Sequence, residues 1–223
     1  MAGMESWSPV MQTVPTPPKR LRAEDLRQMK GKTPIVSLTA YTASVAERLD
    51  NHAELLLVGD SLAMTIYGLD STVGISLDTM IAHGAAVVRG SKRACIAIDL
   101  PAGTYEESAQ QAVEAAGAFA TVVEATVEPL ARAITETISI PTIGIGASAA
   151  CDGQILVVDD ILGLYSALKP KFVKRYVQLG EAVERAAAEY AADVRARRFP
   201  GPDHVYGDGP GAAAKDETVK GAL

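Results

Sequence analysis

Aromatic side chains make up only 5% of the 223 residues, and the one tryptophan, Trp7, stands in a proline-punctuated N-terminus with little to pack against. The two cysteines, Cys95 in an apolar run and Cys151 in a small-residue loop, form neither a disulfide framework nor a metal-ligand spacing. A reducing, cytoplasmic setting is therefore expected. The three histidines, His52, His83 and His204, are isolated, so they make no zinc cluster and no Ser/His/Asp constellation, and they read as structural. The chain has no Gly-Lys-Ser/Thr phosphate loop, no apolar run of membrane-spanning length and no secretory-signal pattern at its N-terminus. Positive charge is short as well. A net charge of -6, a pI near 5.1 and the absence of a basic cluster interleaved with aromatics argue against nucleic acid as a partner.

What the chain does have is enough apolar residues, 48%, to bury one substantial core. Residues 1–20, with Pro9, Pro15, Pro17 and Pro18, predict a disordered arm, residues 21–206 a single domain, and the Gly-, Ala- and Asp-rich residues 207–223 a flexible tail. Within the domain, runs of strand length at 34–39, 55–58, 94–98, 119–123 and 142–146 alternate with helical patterns at 22–29, 43–49, 76–90, 104–117 and 129–137. The stretch 152–163 resists division, and 172–194 reads as one long amphipathic helix. Such alternation specifies an α/β fold with a mainly parallel sheet, and a TIM-type (βα) barrel sets all strand ends on one face. A complete barrel has eight units in roughly 250 residues; five runs are clear here, with room for a sixth.

Three of the runs end on an acid. Leu55-Leu56-Leu57-Val58 is closed by Gly59, Asp60 and Ser61; 94–98 delivers Asp99 just before Pro101; 119–123 delivers Glu124. Each acid alone fits a cap on the next helix or turn. The matched aspartates point instead to a shared rim with oxygen ligands for a hard cation such as Mg²⁺.

Several stretches, in order, resemble the ketopantoate hydroxymethyltransferase (3-methyl-2-oxobutanoate hydroxymethyltransferase) family: Thr39-Ala40-Tyr41, Leu57-Val58-Gly59-Asp60-Ser61-Leu62, Gly68-Leu69-Asp70-Ser71-Thr72, Asp99-Leu100-Pro101, Ile140-Pro141-Thr142-Ile143-Gly144-Ile145-Gly146-Ala147 and Asp152-Gly153-Gln154-Ile155-Leu156-Val157. The resemblance implies a TIM-type barrel, in a homo-oligomer, that carries a one-carbon unit from 5,10-methylenetetrahydrofolate to 3-methyl-2-oxobutanoate with Mg²⁺, on the route to pantothenate. By motif it implies Asp60 and Asp99 as metal ligands that also meet the substrate, Ser61 as an oxo-acid contact and Glu124 as the catalytic base.

The family's central stretch is missing between Val113 and Glu114. It holds a Val-Lys-(Ile/Leu)-Glu-Gly-Gly strand and a Gly-His-(Leu/Val)-Gly motif, which supply a substrate-binding lysine, a further acid of the metal site and a histidine. None of these transfers to a residue here. The join removes about two βα units at roughly 30 residues each, so the expectation is a shortened barrel of six units. Thr42 also stands where many relatives have aspartate. Two other readings follow: a phosphoenolpyruvate mutase/isocitrate lyase-like, Mg²⁺-dependent carbon–carbon bond enzyme, and an inactive truncated or structural subunit.

Overall fold

The computed structural model describes residues 19–102, 119–164 and 170–206. The helix expected at 104–117 lies outside them. The chain begins with α1 (Ala23–Met29), β1 (Ile35–Thr39), α2 (Ala43–Leu49), β2 (Leu55–Val58), α3 (Leu62–Thr65), α4 (Leu77–Gly90) and β3 (Cys95–Ile98). It continues with β4 (Thr121–Glu124), α5 (Glu128–Thr137), β5 (Thr142–Ile145), β6 (Gly153–Leu156), α6 (Val158–Leu162), α7 (Leu179–Arg195) and a 3₁₀ turn at Pro202–His204. The undivided stretch 152–163 resolves into β6 and α6, with Gly163 in the left-handed conformation closing the helix. The long helix expected from Phe172 starts only at Leu179. Phe172 packs its ring over Gly146, where a side chain would collide with it, and so belongs to a turn against the sheet.

All strand pairs are parallel, in the order β3-β2-β1-β6-β5-β4. The first strand pairs with the last, which is how a barrel closes, and among the described residues the free edges fall at β3 and β4, on either side of the expected loss. Removing two neighbouring units from an eight-stranded barrel leaves this order, and the fold is a shortened α/β, TIM-type barrel with six strands among the described residues.

Strand alternation divides the core. Leu56 and Val58 of β2 turn outward onto Ala46 of α2 and Met80 and Val87 of α4. Leu55, on the other face of β2, turns inward with Ile35, Cys95, Ile143 and Ile155, where Leu26 of α1 joins the cluster. Each fully buried aliphatic side chain contributes about 2–3 kcal/mol. Local signals set the helix starts: Ser76 Oγ accepts the Thr79 N–H, Thr42 Oγ1 accepts the Val45 N–H, and a proline occupies the first turn of α5. Gly90 lies against the Ala43 backbone, so close that any Cβ would overlap it, and lets α4 settle on α2.

The N-terminal rim is tied by two saturated aspartates. Asp50 accepts from Ser91 Oγ at 2.6 Å and from the backbone N–H groups of Lys92, Arg93 and Ala94. Arg20 donates to the Ala94 and Ser91 carbonyls of the same turn. Asp152 accepts from Lys30 Nζ at 2.7 Å and from the N–H groups of Gly31 and Thr142.

Candidate functional site

At the opposite rim, Gly59 follows β2 where little room is left. A Cβ there would stand 2.9 Å from Ser61 Oγ and 3.5 Å from Asp99 Oδ2, so the Ser61 hydroxyl and the Asp99 carboxylate border one small space. The Asp60 N–H donates to Asp99 Oδ2 at 3.1 Å and joins the ends of β2 and β3. The expected Asp60, Ser61 and Asp99 are thus brought together.

Glu124 comes from the far end of the sheet order. Its register partner Ile145 packs in the inner cluster, so Glu124 shares the inward face with Leu57 and Ala97. Burial pushes the Asp99 carboxyl above its usual range. The Asp60 N–H opposes this, and the charges of Asp60 and Glu124 push it further up. In a flat sheet β3 and β4 would lie five strand spacings apart, about 24 Å at ~4.8 Å each. That is roughly three Debye lengths at physiological salt. The sheet curls instead, and the charge of Glu124 adds to the upward push on Asp99. Opening has a visible cost beside Glu124: Val122, on the inward face of the edge strand β4, is 47% exposed.

A layer of hydroxyls supports the site. The Tyr41 phenol lies 2.8 Å from Ser61 Oγ. Thr65 Oγ1 donates to the Ser61 carbonyl at 3.2 Å, and Thr39 Oγ1 accepts the Val158 N–H at 3.0 Å. Burial raises the Tyr41 pKa; the Ser61, Thr39 and Thr65 hydroxyls work against this, and the charge of Asp159 adds to it. Burial likewise raises Asp159, against its own backbone N–H and with the help of Asp160, and its Oδ2 is buried with no hydrogen-bond partner. His83 serves this layer: its Nδ1 is 2.6 Å from the Tyr41 carbonyl. Tyr41 was legible only as part of a motif, since an aromatic just past a strand reads as core; its hydroxyl partner lies twenty residues away.

Among the described residues no three His, Cys, Asp or Glu side chains converge tightly enough to cage a metal ion. Asp60 and Asp99 still offer two carboxylates whose mutual repulsion a cation would relieve. Mg²⁺, which keeps several waters and needs few protein oxygens, fits that donor set.

The family model described as "Ketopantoate hydroxymethyltransferase" matches residues 20–119 and again 111–202, two stretches that meet around the expected join. The 3-methyl-2-oxobutanoate hydroxymethyltransferase of Rhodospirillum centenum is 46% identical over 262 aligned positions, covering 84% of this chain and 95% of the relative. Since 84% of 223 residues is about 187, about 75 aligned positions face no residue of this chain. The enzymes of the same name from Agrobacterium fabrum and Brucella canis are 45% and 43% identical, covering 84% and 90% of this chain and 94% and 100% of theirs. Among solved structures, 2,3-dimethylmalate lyase, a PEP mutase/isocitrate lyase superfamily member, aligns at 15% identity and a TM-score of 0.37, covering 89% of this chain and 95% of its own. No helix among the described residues is long and apolar enough to cross a membrane.

Proposed function

We infer that this chain, which belongs to the ketopantoate hydroxymethyltransferase family, transfers the one-carbon unit of 5,10-methylenetetrahydrofolate to C3 of 3-methyl-2-oxobutanoate, giving 2-dehydropantoate. The observation that supports this most is the survival of Asp60, Ser61, Asp99 and Glu124 on one rim. In this reading Glu124 takes the C3 proton. The C3 carbon then forms a bond to the folate methylene carbon, the carbon–nitrogen bonds to folate break, and water supplies the hydroxyl of the product while tetrahydrofolate leaves. Ser61 holds the oxo acid beside Asp99. Asp60 and Asp99 would hold Mg²⁺, which when bound supplies polarisation of the 2-oxo group and so acidifies C3–H.

The identity to hydroxymethyltransferases favours this reading over a mutase or lyase. The missing stretch bears on rate: without the family's lysine the oxo-acid carboxylate loses a cationic anchor, and misplacement at a reacting centre can cost ~100-fold. Solvent-deuterium exchange at C3 of 3-methyl-2-oxobutanoate, with Mg²⁺, tests the site apart from folate. Exchange by the wild-type chain that disappears in Asp60→Ala and in Glu124→Gln is expected. A folded chain that binds Mg²⁺ but exchanges no deuterium would favour the inactive-subunit reading, and turnover of a succinyl or phosphono substrate would favour the lyase reading. Full turnover at the rate of complete relatives would mean that the lost stretch is dispensable.

Self-association belongs to the same reading. Among the described residues α7 buries none of its own, and Val183, Tyr190 and Val194 stay exposed, apolar area available to a second copy. Light scattering at micromolar concentration should give a multiple of the 23.3 kDa chain mass; a strictly monomeric mass would remove this expectation.

A further inference from the structure

We propose that Tyr41 is a positioning residue of this site: by donating its phenolic hydrogen to Ser61 Oγ, it commits the Ser61 hydroxyl hydrogen to the bound 2-oxo acid. The role rests on the reading above that Ser61 meets the oxo acid.

The two oxygens are 2.8 Å apart, and distance alone permits either to donate. Their chemistry sets the direction. A phenol, with a pKa near 10, is a much stronger donor than an alkanol hydroxyl, and conjugation with the ring makes its oxygen the poorer acceptor. Tyr41 is 2% exposed, so its hydroxyl cannot turn to bulk water. Burial also keeps the phenol protonated and able to donate.

The residue is held at both ends. A carbonyl can only accept, so the 2.6 Å contact means that His83 Nδ1–H donates to the Tyr41 carbonyl. The remaining nitrogen, Nε2, meets the Tyr67 hydroxyl at 3.0 Å, with the two rings edge to face at 5.8 Å. α4 thereby fixes the Tyr41 backbone while the phenol enters the site from behind Ser61. Thr65, which donates to the Ser61 carbonyl, fixes that backbone too. Once Ser61 Oγ accepts from Tyr41, its own hydrogen is left for a ligand at the rim that it shares with Asp99. An oxygen of the oxo acid that reaches Ser61 Oγ then meets a hydrogen not committed to Tyr41.

The test is a double-mutant cycle read as the affinity of the full chain for 3-methyl-2-oxobutanoate, by calorimetry in Mg²⁺ buffer. Tyr41→Phe is expected to weaken binding about fivefold, the worth of one neutral hydrogen bond, and Ser61→Ala by at least as much. The double variant should bind within twofold of Ser61→Ala alone, because Tyr41 acts through that hydroxyl. If Tyr41→Phe still loses fivefold in the Ser61→Ala background, Tyr41 only shapes the pocket and the proposal fails. Unchanged affinity in Tyr41→Phe alone would also overturn it. Should Tyr41→Phe not fold, 4-aminophenylalanine at position 41 keeps the shape with a weaker donor; an intermediate loss is expected, and wild-type affinity would be contradictory. A wild-type chain that binds no oxo acid would remove the proposed function and this role together, whereas the other failures leave that function standing.

Discussion

The two rims of the sheet treat buried acids in opposite ways. At the N-terminal rim Asp50 and Asp152 are surrounded by donors. Burial pushes both carboxyls up, but the backbone N–H groups and Ser91 around Asp50, and Lys30 with the Thr142 and Gly31 N–H groups around Asp152, outweigh it and hold both below the usual range. At the C-terminal rim Asp99 has one N–H donor against two neighbouring negative charges, and Asp159 leaves an oxygen unpaired; burial holds both above the usual range. One rim uses its acids to hold the strands; the other leaves them under-satisfied.

The largest effect should come from breaking the saturated rim. Asp50→Ala strands the Ser91 hydroxyl and three backbone N–H groups in a buried turn, and should cost about 3–4 kcal/mol in urea denaturation. A loss below ~1 kcal/mol would mean that water replaces the carboxylate freely. Asp152→Asn, which keeps the shape but loses the charge facing Lys30, should cost less, about 1–2 kcal/mol.

The same comparison fixes a sign against pH. Asp50 and Asp152 titrate lower in the folded chain, so the stability they contribute is fully present above the unfolded carboxyl range near 4 and is lost as pH falls through the folded values. Asp99 and Asp159 run the other way: what their protonated forms contribute is present below the unfolded range and lost as pH rises through the folded values. Asp99→Asn should therefore stabilise the apo chain near neutral pH, by about 1 kcal/mol, while removing Mg²⁺-dependent exchange. Denaturation midpoints from pH 3 to 7 should show the variant's advantage growing upward with pH. A variant less stable than wild type at neutral pH would place Asp99 among the structural acids.

The smallest change in stability is expected at Gly59. Gly59→Ala needs only a shift of the Ser61 hydroxyl, costing under ~1 kcal/mol, yet the methyl would fill the space between Ser61 and Asp99. Oxo-acid affinity should fall about tenfold with the melting temperature nearly unchanged. Retained affinity would mean that the ligand enters elsewhere.

How much of this was legible in the sequence depended on range. Strand runs and the helical patterns at 43–49, 76–90 and 129–137 are local, and they fell where the pattern put them. The acids at strand ends were visible because apolar runs announce where strands stop. Stretch 152–163 hid its division because Val157 and Val158 continue the apolar pattern of β6 straight into α6. Phe172 had helical spacing with Tyr176 and Leu179, but a ring packed on Gly146 outweighs a period. The Tyr41–Ser61 bond, the unpaired oxygen of Asp159 and the reach of Glu124 to Asp99 arise only when the sheet curls, and no spacing in one dimension contains them.

The curl itself can be measured through Asp99. Carboxyl-carbon NMR titration of the apo chain, wild type against Glu124→Gln, reads whether the acid at the far edge of the sheet shares a rim with the β2 and β3 ends. Asp99 should titrate above the usual carboxylate range in the wild type and fall when the Glu124 charge is removed. An Asp99 pKa unmoved by Glu124→Gln would mean that the two edges lie apart, and that the loss of two strands has dispersed the site.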